Sequence, residues 1–356
     1  MKLDPLRLRF PEEYSGPLYS RRGFVGRDYP IRGHIVNMPS GTDIRLGVAA
    51  ARDALDLDFS RYTSRPDVSD RIYVPRPGFY VTQLARALFA VTDSFLIVNA
   101  NNVGYWGNQF LISGGRLVYK TTTPIFSTGN HCLKDTYPFI VQDSTGAIGF
   151  ERLKIQMSGA WSSFILRFES DRDDPIVSGI SGYPLIEEGR PVWKDHVDDA
   201  WDPKLLYSLA RLEGLGQQDI NAAVRAAHDS RQPLQRHGLT FLGIHKTGTL
   251  AIVVVEEGPE YSRGIDMDEA ANLLLSLDME FAIVLGGKGD VQMASADEGL
   301  LARPLVSEHD RDSARPVDLT AFRNSRIADP KLLERPVPAF LALTALRHRE
   351  GAHNAR

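Results

Sequence analysis

The sequence predicts an α+β fold with a mixed, largely antiparallel β-sheet flanked by helices. Three observations support this prediction. Short apolar segments separated by Gly- and Asp-containing turns fill the middle of the chain, which is typical of antiparallel strands. Apolar residues recur at helical spacing over 81–89 and again over 267–277. After each of these helices comes a buried strand that ends in a polar or glycine-rich loop, so the two units share one layout.

The chain is expected to form one main domain. Residues 1–30 are rich in Pro, Arg, Tyr and Gly, and they predict an irregular N-terminal arm. Residues 31–346 predict a single domain, which a helical insertion interrupts near 200–232. The polar residues 347–356 predict a disordered tail.

The first third of that domain is predicted to contain three strands and the first helix. Two strands lie at 31–36 and 44–49, on either side of the turn Pro39-Ser40-Gly41. The helix precedes a third strand, Phe95–Asn99, whose apolar run indicates burial. That strand runs directly into the polar loop Asn101–Gly104.

Hairpins are predicted through the rest of the chain. Ser113-Gly114-Gly115 is a favourable hairpin turn, and further strands are expected at 139–142, 147–156 and 162–168.

The last third repeats this pattern more clearly. Leu239–Ile244 and Leu250–Val255 predict a hairpin around Lys246-Thr247-Gly248. The buried strand Phe281–Leu285 then leads into the glycine-rich loop Gly286–Asp290.

Composition and charge exclude several classes of function. The 356 residues are 43% hydrophobic and 24% charged, close to the average for globular proteins. A formal net charge of -4 provides no overall attraction to nucleic acid or to an anionic membrane. The apolar runs are too short to span a bilayer, and Met1–Glu13 has no apolar core of a signal peptide. We therefore expect a cytoplasmic protein with no nucleic-acid or membrane partner, and we leave open whether it forms a homo-oligomer.

The sequence predicts neither a metal nor a cofactor. Cys132 is the single cysteine, which rules out an intrachain disulfide and paired-cysteine metal motifs. The nine histidines do not follow metal-ligand spacing. No complete nucleotide-binding motif is present.

Gly286–Asp290 is the segment most suggestive of a binding site. Three glycines in four residues after a buried strand let backbone N–H groups line a concave loop, which suits an anion. Lys288 would add a positive charge. The alternative is a tight turn that only connects two strands.

Several segments of the last third, taken in order, match the pattern of a known family. Thr240-Phe241-Leu242-Gly243 corresponds to a small-residue strand, and Ser262–Ile265 to the segment before a helix. Ala282–Gly289 stands where that family has Ala-Leu-Asn-Leu-Asp-Gly-Gly-Gly. Together these segments resemble the phosphodiester glycosidase family, to which the enzyme that uncovers mannose 6-phosphate on lysosomal glycoproteins belongs. Asn102–Trp106 also resembles the family's Asn-Gly-Gly-aromatic-aromatic loop.

The resemblance implies a phosphosugar site between the Asn102 loop and the Gly286 loop. Arg263 offers a planar fork suited to phosphate, and aromatic rings can stack on a sugar face. Each residue also has a structural interpretation, as a turn, surface or core residue. The implied substrate-binding residues are Asn102, Tyr105, Trp106, Thr240, Arg263, Gly286, Gly287, Lys288 and Gly289.

One departure from the family concerns the catalytic group. The family's loop carboxylate aligns with Gly286, and a family serine is replaced by Asp290. Because cleavage of a glycosyl phosphate requires a carboxylate near the developing oxocarbenium ion, Asp290 is the first candidate for a relocated one. Glu269 and Glu187 are further candidates, although Glu269 is also explained by a capping box that begins at Asp266.

The resemblance implies an enzyme acting on a glycosyl phosphate, a nucleotide sugar or a related small glycoside, for example in a specialised biosynthetic pathway. Two alternatives stay open. The chain could bind a phosphosugar or a protein partner without catalysis, or it could catalyse glycosyl transfer or an elimination on the same fold.

Overall fold

A computed structural model describes most of the chain. The described residues are 7–39, 42–50, 80–100, 110–119, 136–160, 163–196, 236–258, 260–287, 291–306, 311, 314–317, 327, 331–337 and 339–346. The predicted insertion near 200–232 and the predicted tail lie outside these ranges.

Two α-helices and 23 strands occur in the described residues. The helices are α1 (Val81–Val91) and α2 (Met267–Ser276), and a short 3-10 helix covers Trp193–His196. The strands in chain order are β1 (Leu8–Ser15), β2 (Ser20–Gly26), β3 (Arg32–Asn37), β4 (Ile44–Ala50), β5 (Ser94–Asn99), β6 (Phe110–Ser113), β7 (Arg116–Tyr119), β8 (Tyr137–Asp143), β9 (Ile148–Ala160), β10 (Ser163–Glu169), β11 (Ile176–Ser181), β12 (Tyr183–Glu187), β13 (Arg190–Pro191), β14 (Leu239–His245), β15 (Leu250–Val255), β16 (Glu257–Gly258), β17 (Ser262–Arg263), β18 (Met279–Gly287), β19 (Met293–Ser295), β20 (Gly299–Ala302), β21 (Arg315–Pro316), β22 (Leu333–Glu334) and β23 (Ala339–Ala345).

Three sheets carry the fold. The largest has eight strands in the order β1-β2-β3-β15-β14-β18-β12-β13. A six-stranded sheet has the order β10-β9-β8-β11-β6-β7, and a five-stranded sheet has the order β20-β19-β5-β23-β4. Two further strand pairs, β16-β17 and β21-β22, are small. Every strand pair that joins neighbours in these sheets is antiparallel.

Apolar packing covers both faces of the eight-stranded sheet. One cluster joins the three sheets, through residues such as Leu242, Ile140 and Leu341. On the other face, α2 packs against the sheet, and Leu274 and Phe241 both belong to a second cluster there. Because the central strands are covered on both sides, β15 is buried at all six positions and its sequence is a continuous apolar run.

The prediction of a largely antiparallel sheet is confirmed, but the helical share was overestimated. Within the described ranges only α1 and α2 are α-helical, so this part of the chain is largely β and not a balanced mixture. Neither helix has the length and apolarity needed to cross a bilayer.

Residues 8–15 and 20–26, predicted as part of an irregular arm, form β1 and β2 at one edge of the large sheet.

A buried arginine explains why these two strands were not predicted from the sequence. Arg21 of β2 is only 1% exposed, and its Nε and Nη2 atoms donate to both oxygens of Glu298, at 2.9 and 2.6 Å. Its Nη1 donates to Nδ1 of His34 at 3.2 Å. Since arginine has only donors, Nδ1 accepts and the ring proton sits on Nε2, which lies 3.5 Å from Glu256 Oε1. The N-terminal hairpin is thereby fixed to the turn between β19 and β20.

We predict that Arg21→Met lowers the free energy of unfolding by about 3–5 kcal/mol, because it leaves the Glu298 carboxylate buried without its partner. The measurement is urea unfolding followed by circular dichroism. Arg190→Met is the matched control, since that side chain is 76% exposed in its pair with Glu188 and should change stability by less than about 0.5 kcal/mol. Equal, small effects of both substitutions would contradict the role assigned to Arg21.

Candidate functional site

Strands from two sheets end at the same place, beside the two loops that the sequence predicts to line a pocket. Asn99 is the last residue of β5, and Gly286 and Gly287 end β18. In the ladder between β14 and β18, Thr240 lies opposite Gly286. The hydroxyl of Thr240 donates to Oδ1 of Asn99 at 2.8 Å, which joins the eight-stranded sheet to the five-stranded sheet. We call this place the loop end of the sheets.

The Asn99 side chain is the centre of this junction. Its Oδ1 atom also accepts from the backbone N–H of Gln292 at 3.2 Å, and Nε2 of Gln292 donates to the carbonyl of Arg335 at 2.9 Å. Both side chains are fully buried. Within the described residues, Nδ2 of Asn99 and Oε1 of Gln292 have no hydrogen-bond partner. A buried donor and a buried acceptor left unused are uncommon, and they suit a polar ligand or an ordered water.

Backbone crowding requires glycine at two positions of the loop end. A Cβ atom on Gly287 would lie 2.9 Å from the carbonyl oxygen of Gly238. Gly264 has a φ of 71°, and a Cβ there would lie 2.3 Å from the carbonyl carbon of His237. Any side chain at either position would push the strand ends apart.

A buried carboxylate that the sequence analysis did not select also lies at the loop end. Glu256 directly follows β15 and is 0% exposed. Its Oε1 accepts from the backbone N–H of Arg303 at 3.1 Å, and its Oε2 lies 3.3 Å from Nε of Arg32. Thr240 pairs with Val254, so Glu256 is the diagonal neighbour of Thr240, at about 7–8 Å between residues. The only sequence signal was a pair of glutamates, Glu256 and Glu257, directly after an apolar strand.

Arg263 and Glu269 both contact Tyr29, which packs against the apolar cluster that contains α2. Arg263 is exposed, and its guanidinium carbon lies 3.6 Å from the ring centre of Tyr29. Glu269 completes the predicted capping box of α2 with Asp266, accepts from the Tyr29 hydroxyl at 2.8 Å and forms an ion pair with Arg236. Burial raises the pKa of Tyr29 to about 12, with the hydrogen bond to Glu269 adding to the shift, so this phenol stays protonated at neutral pH. Every contact of Glu269 has a structural function.

Glu187 ends β12 at the other end of the large sheet. Tyr183 pairs with Val284 and Ile186 pairs with Ala282, so the direction of β12 takes Glu187 away from Gly286. Its carboxylate binds Arg152, with Nη2 at 2.6 Å from Oε1. The structure does not bring Glu187 to the loop end.

The remaining predicted residues lie outside the described ranges, and their roles stay predictions. Among the residues that the structure describes, no group of three or more His, Cys, Asp or Glu side chains could hold a metal ion. The residues outside are Asn102, Tyr105, Trp106, Lys288, Gly289 and Asp290.

Comparison with known proteins identifies the family. The model of the phosphodiester glycosidase family matches residues 85–342, which is most of the chain. The chain therefore belongs to the phosphodiester glycosidase family, and the resemblance inferred from the sequence is confirmed. No curated protein matches the sequence.

Two solved structures are similar to this chain at low sequence identity. The catalytic domain of zebrafish N-acetylglucosamine-1-phosphodiester alpha-N-acetylglucosaminidase, auto-inhibited by its pro-peptide, matches with a TM-score of 0.50 and 14% identity, over 96% of this chain and 89% of that one. A hypothetical protein from Synechocystis matches with a TM-score of 0.35 and 13% identity, over 92% of this chain and 62% of that one. The first of these matches shows a common fold.

We predict that the Thr240–Asn99 hydrogen bond contributes to stability as a coupled pair. Thr240→Val keeps the shape but removes the donor, and should lower the free energy of unfolding by about 1–3 kcal/mol because a buried acceptor loses a partner. In a double-mutant cycle with Asn99→Ala, the coupling energy measured by urea unfolding should be about 0.5–3 kcal/mol. Strict additivity of the two substitutions would show that the two side chains act independently.

Proposed function

We propose that this protein is an enzyme that acts on a glycosyl phosphate or a related small glycoside at the loop end of the sheets. The observation that carries the proposal is the Asn99 junction. It sets the buried, unused Nδ2 of Asn99 and Oε1 of Gln292 beside the start of the two loops whose sequences resemble the family's signature loops. The family membership supports the general class of reaction.

The polar groups at the loop end suit a sugar joined to an anion. An amide donor and an amide acceptor can hold sugar hydroxyls, which both donate and accept. The amides of the glycines at the end of β18 and just after it, with Lys288 among them in the sequence, would hold the phosphate. Phosphate is already a good leaving group, so the remaining requirement is a negative charge near the anomeric carbon.

In this proposal Asp290 supplies that negative charge. Gly286 has no side chain, and Glu269 and Glu187 are bound elsewhere by arginines. Glu256 lies closer to Thr240 but is fully buried and is held by Arg32. Asp290 is separated from β18 by only two residues, and it follows a glycine-rich stretch of the sequence.

A binding protein without catalysis is the second candidate. The observation that favours it is the replacement of the family's loop carboxylate by Gly286. In that case the same amides would hold a phosphosugar with no group to stabilise an oxocarbenium ion. Glycosyl transfer or elimination would require Asp290 or another carboxylate, as hydrolysis does.

The deciding experiment incubates the purified protein with glucose 1-phosphate, N-acetylglucosamine 1-phosphate and UDP-N-acetylglucosamine. It follows the release of free sugar together with phosphate from the first two and UDP from the third. Turnover supports the enzyme. Calorimetric binding without turnover supports the binding protein. If the protein shows neither turnover nor binding, both candidate functions are refuted.

We predict that Asp290→Asn lowers kcat by about 100-fold or more on any substrate that wild type hydrolyses, with little change in binding, because it removes a charge needed mainly in the transition state. Steady-state kinetics and calorimetry measure the two effects separately. Asp268→Asn is the matched control, since Asp268 lies on α2 and pairs with Lys194. Full activity of Asp290→Asn would remove this residue from the mechanism.

A further inference from the structure

An arginine that was not predicted from the sequence as a site residue lies at the loop end. Arg303 directly follows β20, and its backbone N–H donates to Oε1 of Glu256 at 3.1 Å. Its side chain is partly buried, and its guanidinium carbon lies 5.7 Å from the ring centre of Tyr261. The Nε atom is buried and donates no hydrogen bond within the described part of the chain.

Among the residues that the structure describes, Arg303 lacks the carboxylate partner that several other buried and partly buried arginines have. Over the described ranges, no carboxylate oxygen lies within ion-pair distance of its guanidinium. A partly buried charge without a partner costs free energy, and an anion from solution would offset that cost. The comparable ion pairs are Arg21 with Glu298, Arg32 with Glu256, Arg172 with Asp143 and Arg236 with Glu269.

Strand register places Arg303 in the same row as the Asn99 junction. Met293 pairs with Ala302 on one side and with Val98 on the other. One residue further along, Gln292 therefore stands between Arg303 and Asn99. With neighbouring strands about 4.8 Å apart, the Cα atoms of Arg303 and Asn99 are separated by about 10 Å, on the scale of a glycosyl phosphate.

The surroundings of the guanidinium favour a phosphate over a cationic or neutral group. Burial raises the pKa of Tyr261 to about 12, the Glu256 charge adds to the shift, and Arg303 and Arg32 oppose it. The Tyr261 ring is thus an uncharged wall at neutral pH. Glu256 is already balanced by Arg32, at 3.3 Å, which leaves Arg303 available.

We propose that Arg303 binds the phosphate of the substrate, while Asn99 and Gln292 contact its sugar. Its planar fork can donate two parallel hydrogen bonds to phosphate oxygens. This proposal rests on the proposed function, and it assigns to Arg303 the role that the sequence assigned to Arg263, whose guanidinium instead packs on the Tyr29 ring.

The test measures inorganic phosphate binding by titration calorimetry for wild type, Arg303→Met, Arg303→Lys and Arg263→Met. Arg303→Met keeps the stem against Tyr261 but removes the charge, and should weaken phosphate binding about 10- to 100-fold. Arg303→Lys keeps the charge but lacks the fork, so its affinity for phosphate should lie between those of wild type and Arg303→Met. Arg190→Met, far more exposed and paired with Glu188, should bind as wild type does.

Circular dichroism checks that each variant is folded, and Arg303→Lys decides the matter if Arg303→Met does not fold. Wild-type affinity in either folded Arg303 variant overturns the proposal, as does a larger loss in Arg263→Met than in Arg303→Met. On a glycosyl phosphate that wild type hydrolyses, Arg303→Met should raise KM by a similar factor and leave KM for a neutral aryl glycoside unchanged.

The outcomes separate this proposal from the proposed function. Phosphate binding that depends on Arg303, without any turnover, supports Arg303 and rejects the enzyme. Turnover with an unchanged KM in Arg303→Met rejects Arg303 alone. If wild type neither binds phosphate nor hydrolyses a glycosyl phosphate, both are rejected.

Discussion

The architecture around the candidate site depends on one buried amide. Oδ1 of Asn99 accepts from the Thr240 hydroxyl at 2.8 Å and from the Gln292 backbone at 3.2 Å, so a single oxygen joins strands of two sheets. A buried polar atom is costly when it is left unpaired, and these two hydrogen bonds therefore fix how the sheets meet. The same geometry leaves Nδ2 of Asn99 unused in the described residues. Oδ1 of Asn99 thus has a structural function, while Nδ2 of the same side chain is left for the proposed ligand.

A second buried network positions the charged residues at the loop end. Arg21 binds Glu298 in the turn between β19 and β20, and β20 leads directly to Arg303. Arg303 in turn donates its backbone N–H to Glu256. The N-terminal hairpin therefore supports the site. Its Arg21 binds the turn between β19 and β20, and Arg303 directly follows β20.

The loss of the family's loop carboxylate changes how the site can work. At Gly286 the strand presents only backbone to Thr240, so a negative charge must come from beyond the strand or from a neighbouring strand. Glu256 is a carboxylate near Thr240, but its full burial and its contact with Arg32 give it a structural function. In the proposed function, Asp290, which follows β18 in the sequence, therefore supplies the negative charge.

Local sequence determined the elements that depend on neighbours along the chain. The hairpin strands β14 and β15, the buried strands β5 and β18, and the capping box of α2 were all predicted within a few residues, because alternation, apolar runs and the spacing of Asp266 and Glu269 are local signals. The glycine-rich end of β18 and the family resemblance were equally visible. Tertiary structure alone decided which polar residues meet. Asn99, Gln292 and Arg303 are isolated in sequence, and only the register of three adjacent strands brings them into one row. The strands β1 and β2 were not predicted for the same reason, since no local signal shows that a distant glutamate balances the charge of Arg21.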